Sequence, residues 1–163
     1  VVPLFPGPEK PDNQCPSHGA LQMTDQDIVD GFNAQLPTFM KFFNAEIIDV
    51  DVAAATCTFA FDVSTDYCHS VNVVQGGFIT SMLDAAMSHA LFAIEGGRGL
   101  INVSSLEIKT SYLAPTLAGK MTALGRVRKA AYKTAFLEAE LFNAEGELTA
   151  TTSSVAKIVR KKD

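Results

Sequence analysis

The sequence has no tryptophan, only three cysteines, and 19% charged residues. Each scarcity excludes something. Cys15, Cys57 and Cys68 form no CxxC pair, and their odd count and wide spacing give neither a disulfide framework nor a zinc signature. Reduced thiols in the cytoplasm are the expectation. Basic residues are in deficit, with 13 Lys and Arg against 18 Asp and Glu and a net charge of −5. A nucleic-acid partner would call for the opposite balance. No uninterrupted apolar run approaches the ~20 residues of a membrane span. The opening "VVPLFPGPEKPDNQCPSHG" has neither the basic start nor the apolar stretch of a secretory leader.

What remains is 163 residues with 47% hydrophobic content, enough for one domain with a sizeable core. Residues 1–23 hold five of the seven prolines and read as an extended arm ahead of a single domain, 24–163. In "TDQDIVDGFNAQL", Thr24 is a helix cap and Asp25 and Asp27 suit the first turn. Ile28, Phe32 and Leu36 form its apolar stripe, and Pro37 ends it. Two strands follow, about 44–51 and 54–63. In the second, Cys57, Phe59, Phe61 and Val63 alternate with Thr56, Thr58, Ala60 and Asp62. "STDYCHSVNVVQGG" reads as a loop. Phe78, Ile79, Met82, Leu83, Ala86, Met87, Ala90 and Leu91 then recur at helical spacing in the most apolar helix of the chain, closed by Gly96 or Gly97. Three or four long strands complete the sequence, with Gly146 supplying a positive φ in the "NAEGE" turn. One greasy helix amid antiparallel strands predicts an α+β domain whose sheet wraps around that helix.

The helix begins with two glycines and carries Asp84 in its interior. Neither suits a helix that only fills a core: glycine costs ~1 kcal/mol there relative to alanine, and a buried carboxylate costs desolvation. The pattern points to a site. A solvated carboxylate and a plain glycine turn are the alternative readings.

The stretch "QGG" (75–77), Asp84 eight residues after Gly76, and "SYLAP" (111–115) resemble the hotdog-fold acyl-CoA thioesterases of the phenylacetate-degradation type, in the hydroxybenzoyl-CoA thioesterase superfamily. The strands from "RVRKAAYKTAF" onward are similar as well, so the resemblance covers about residues 24–160. It implies a thioesterase in which the Gly76 N–H polarises the thioester oxygen and Asp84 is nucleophile or general base. The family has a His where this chain has Gln75. Glutamine makes hydrogen bonds but does not titrate near neutral pH. His69 stands where relatives carry an amide, and Ser105 aligns with a polar position near the site in some relatives. Ser88, one turn after Asp84, is placed to orient it or to hold water.

Gly76 and Asp84 are ~12 Å apart along the helix axis at 1.5 Å per residue, too far to share one carbonyl. The resemblance implies a homodimer in which Gly76 of one chain faces Asp84 of the other, and a homotetramer beyond that. Gly77, Phe78 and Met82, with Phe39, Phe42 and Phe43 of the first helical region, are expected to line the acyl tunnel, which favours a medium-chain or aryl group. Arg98, Arg126, Arg128, Lys129 and Lys133 are candidates for the CoA phosphates. A Cys68–His69 dyad is disfavoured because sequence neighbours rarely form one, and a metal site of His69, Asp84 and His89 because His89 lies off the Asp84 face. No metal or redox cofactor is implied; CoA enters with the substrate. The rival readings are an acyl-CoA-binding protein without turnover and a hotdog hydratase or dehydratase.

Overall fold

The computed structural model describes residues 23–95 and 99–161. Helix α1 (Asp25–Ala34) starts with a capping box. The Thr24 hydroxyl accepts from the Asp27 N–H at 3.2 Å, and the Asp27 carboxylate accepts from the Thr24 N–H at 2.8 Å. A short 3-10 helix, Thr38–Phe43, follows Pro37 and stops at Asn44, whose φ is +46°. Strands β1 (Glu46–Asp51) and β2 (Thr56–Val63) come next. In β2 the alternation runs as the sequence predicts: Cys57, Phe59, Phe61 and Val63 are all buried.

Residues 64–77 depart from the loop expected of them. They form a 3-10 turn (Thr65–Tyr67) and a small hairpin, β3 (Cys68–Ser70) and β4 (Val73–Val74), too short to show a hydrophobic period. Its tip, Val71, is exposed with φ +39°, an outlier for a β-branched residue. The hairpin is tied to the segment after β5 by the Val74 N–H to Thr116 C=O bond (2.9 Å) and the Ala118 N–H to Asn72 C=O bond (2.8 Å).

Helix α2 (Gly76–Glu95) leads into four long strands, β5 (Leu100–Tyr112), β6 (Gly119–Ala130), β7 (Thr134–Asn143) and β8 (Leu148–Arg160). The main sheet has six strands in the order β1-β2-β6-β7-β8-β5, with every neighbouring pair antiparallel. The turn before β8 holds Gly146 at φ +82°, as expected. α2 lies across one face, where Ile79, Met82, Leu83, Ala86, Met87, Ala90 and Leu91 are buried. The domain is an α+β hotdog arrangement. α2 is long and apolar enough to cross a membrane by length and composition alone; in this fold it is the core helix.

The two sheet edges differ. On β1, the Asn33 side chain of α1 satisfies both backbone groups of Ile47, accepting from its N–H and donating to its C=O at 2.8 Å each. That edge is short and is tied to α1 at Ile47. Among the described residues β5 pairs only with β8, and no other described strand lies on its outer edge along 13 residues, where Ile101 is 54% and Leu106 65% exposed.

α2 approaches the sheet most closely at Gly125 of β6. A Cβ built there would stand 2.2 Å from the backbone C and O of Ala86. At its far end the helix is held by Glu95, 2% exposed, which receives a 2.5 Å hydrogen bond from Arg160 of β8. Gly125→Ala is expected to push the helix off the sheet at a cost of about 3 kcal/mol. Thermal unfolding should show a fall in Tm on the order of 10 °C.

Candidate functional site

The start of α2 is organised by side chains on both sides of its first peptide. Gln75 is the residue before the helix, and its Oε1 accepts from the Gly77 N–H at 2.7 Å and from the Phe78 N–H at 3.3 Å. These are two of the four amides that a helix start leaves without intrahelical partners. The Gly76 N–H has no hydrogen-bond partner among the described residues. The Gly76 C=O accepts from the Tyr112 hydroxyl of β5 at 2.7 Å. Both glycines leave room for these hydrogen-bonding side chains. A Cβ at 76 would meet the Tyr112 Oη at 2.7 Å, and one at 77 would meet Gln75 Oε1 at 2.8 Å.

Beside this helix start lies a cavity of about 540 Å³. Its walls come from the hairpin (His69, Val73, Val74), from Gly76 and Ile79 of α2, and from the segment Tyr112–Thr116. The lining is mainly apolar, and His69 and Tyr112 are its polar groups nearest solvent, both exposed. The "SYLAP" stretch thus forms one wall. Its Tyr112, which touches Gly76, was not among the residues singled out from the sequence.

Asp84 sits apart from the cavity, two turns further along α2. It is half-buried, and its Oδ1 accepts from the Ser105 hydroxyl of β5 at 2.7 Å. Ser88 is half-buried one turn on and makes no hydrogen bond to Asp84. One chain therefore carries two separated groups: Gly76 with Gln75, His69 and Tyr112 at the cavity, and Asp84 with Ser105 on the next stretch of the helix.

Other expected residues lie elsewhere. Met82 is fully buried and does not line this cavity; it belongs to the core because its place in the helical period turns it onto the sheet. Phe43 is buried as well, while Phe39 and Phe42 are exposed. Phe78 packs edge-on against Tyr67 (5.1 Å) and Phe43 (5.8 Å) rather than lining the cavity. Arg126 and Arg128 alternate with the inward Gly125 and Val127, so they point away from α2 on the outer face of the sheet. Arg128 is paired with Glu138 at 2.6 Å. Arg126 is seven residues from Gly119, and so about 23 Å along β6 from the end beside the hairpin. Lys129 and Lys133 are exposed at that same far end. In one chain these cations are not brought to Gly76. Arg98, the Gly96 or Gly97 cap, Cys15 and all but Met23 of the proposed arm fall outside the described residues.

Burial, reinforced by Asp49, pushes the Cys57 thiol up to about 12, which leaves it a packing residue rather than a nucleophile. His89 is packed edge-on between Phe32 (5.2 Å) and Phe59 (5.1 Å), and its Nδ1–H donates to the Ala85 C=O at 2.8 Å. Burial holds its pKa below the ordinary imidazole value.

Residues 71–150 match the thioesterase superfamily. No protein of curated function matches the sequence. Among solved structures, the chain is similar to a phenylacetic acid degradation-related protein of Ralstonia eutropha. The two share 24% identity over 75% of this chain and 90% of the other, with a TM-score of 0.68. It is similar also to the PaaI protein from the phenylacetic acid degradation operon of E. coli, with 19% identity, 80% and 91% coverage and a TM-score of 0.70. A thioesterase of Haemophilus influenzae shares 16% identity over 84% and 91% of the two chains, with a TM-score of 0.69.

Since the folded state holds His89 neutral, the unfolded chain binds the extra proton as pH falls through about 6.5. Stability is then lost from that pH down to the depressed native pKa. Urea unfolding between pH 8 and 5 should show the loss, and His89→Leu should flatten it.

Proposed function

We propose that this chain is an acyl-CoA thioesterase, cleaving medium-chain or aryl acyl-CoA to the free acid and CoA. The observation that carries the reading is the free Gly76 N–H at the wall of a mainly apolar cavity, in a chain that also holds a half-buried carboxylate oriented by a serine. An acyl chain suits the Val73, Val74, Ile79, Leu113 and Pro115 lining, with its carbonyl oxygen toward the Gly76 N–H at the positive end of the helix dipole.

The chemistry needs little else. The Asp84 carboxylate takes a proton from water as the water oxygen bonds to the thioester carbon. The carbonyl oxygen becomes an oxyanion and accepts from the Gly76 N–H. Collapse breaks the carbon–sulfur bond, and the proton held by Asp84 passes to the departing CoA sulfur. The Ser105 hydroxyl fixes one carboxylate oxygen and leaves Oδ2 for the water. No metal or redox cofactor takes part, and CoA is present only as part of the substrate.

Gly76 and Asp84 cannot meet on one carbonyl within a chain, because ~12 Å of helix separates them. The active unit is a homodimer in which each site draws Gly76 from one protomer and Asp84 from the other. The β5 edge, thirteen residues long with Ile101 and Leu106 exposed, supports association there, since the opposite edge strand has only six residues and is tied to α1 through Asn33. A homotetramer follows as a pair of such dimers. The free thiols Cys57 and Cys68 fit a cytoplasmic location.

Thiol release from acetyl- through palmitoyl-CoA, with phenylacetyl- and benzoyl-CoA, tests the reading. The wild type should favour the medium and aryl members. Asp84→Ala should lower kcat by about 10²- to 10⁴-fold with binding retained. Ser105→Ala should cost about 10-fold, the scale of one hydrogen bond to a charged group. Tight binding without release from any member would instead make this an acyl-CoA-binding protein.

A further inference from the structure

The peptide joining Gly76 to Gly77 is gripped at both ends. Its N–H donates to Gln75 Oε1 and its C=O accepts from the Tyr112 hydroxyl, each at 2.7 Å. Tyr112 does not act alone. Its hydroxyl lies 3.1 Å from the Thr80 Oγ1 of α2, which lies 2.9 Å from the Thr110 Oγ1 of β5. Thr110 in turn lies 3.0 Å from the Thr152 Oγ1 of β8. A hydroxyl has one proton to give. Tyr112 gives its proton to a carbonyl, which only accepts, so Thr80 must donate to Tyr112. By the same reasoning Thr110 donates to Thr80, and Thr152 donates to Thr110. The four hydroxyls form one directed chain from buried Thr152 to the helix start, each bond polarising the next.

We propose that Gln75 and this hydroxyl chain are positioning residues for the proposed hydrolysis. They fix the first peptide of α2 and leave the Gly76 N–H as the one amide of that turn free for the thioester oxygen. The inference rests on the hydrolase reading. It also gives a reason for glutamine at 75. Glutamine carries no titratable group, so the acceptor at 75 does not change with pH. A histidine in place of Gln75 would accept from the Gly77 N–H only while neutral, because a protonated ring is a donor alone.

Two readouts test the proposal: amide exchange at Gly76 and Gly77 by NMR, and the pH dependence of kcat. In the wild type, the Gly77 amide should be protected and the Gly76 amide fast. Gln75→Ala should lower Gly77 protection by at least about 10-fold, the scale of one lost hydrogen bond. Gln75→His should add to the kcat profile an acid limb below about pH 6.5 that the wild type lacks, where imidazole takes up its proton. Tyr112→Phe and Thr110→Val should each lower kcat by about 2- to 10-fold with little change in KM. Equal exchange at Gly76 and Gly77 in the wild type would overturn the clamp, as would a Gln75→His profile that superimposes on the wild type. If the exchange pattern stands while no acyl-CoA is hydrolysed, the clamp holds and the hydrolase reading falls.

Discussion

The structure depends on how closely one helix can approach one sheet. Gly125 has no side chain, and the space where a Cβ would sit is filled by the backbone of Ala86. That contact seats α2 flat against β6, so Met82, Leu83, Ala86 and Met87 are buried in a single layer. With the middle pinned, the ends are fixed by polar groups of other strands. Arg160 of β8 holds Glu95 at one end, and Tyr112 of β5 holds Gly76 at the other. The helix is thus tied to the part of the sheet that builds the cavity. It cannot slide without breaking an ion pair, a hydroxyl chain and a close backbone contact together.

The consequence for chemistry is a division of labour imposed by helix geometry. An amide at the first residue of a helix and a carboxylate two turns later are well placed for two different molecules and badly placed for one. The Ser105 bond shows that Asp84 is held by β5, the long edge strand, rather than by the cavity walls. The same strand contributes Tyr112 to the other group. A partner docking along β5 would therefore touch the supports of both half-sites. Gln75 keeps an acceptor at the helix start without a group that changes charge near neutral pH.

Much of this was legible in the sequence, and the reasons are specific. The α2 stripe, the alternation of β2, the Thr24 cap and the Gly146 turn are local signals that packing reinforces. Resemblance placed Ser105 near the site, but its hydrogen bond to Asp84 is visible only once β5 lies beside α2. Other features depend on partners distant in the chain. Tyr112 and Gly76 are 36 residues apart, Thr152 and Thr110 42, and no local pattern joins them. Gly125 reads as one more strand glycine until the helix is laid on it. Met82 has the size and polarity of a cavity-lining residue, and only the phase of the helix against the sheet shows it to be core. The β3–β4 hairpin is too brief for any period to emerge, yet it supplies His69 and a wall of the cavity.

The central claim is that each site is built by two chains, and mixed dimers test it most directly. Gly76→Pro removes the N–H that faces the thioester oxygen, at the first helical position where proline is tolerated, while Asp84→Ala disables the base. Each homodimer should be inactive. Unfolding and refolding equal amounts together gives about half mixed dimers, and in each of these one site regains an intact Gly76 and an intact Asp84 from opposite chains. Recovery of about one quarter of wild-type turnover is the predicted result. No recovery from a mixture shown to contain mixed dimers would mean that a single chain carries its own complete site, and would contradict the account.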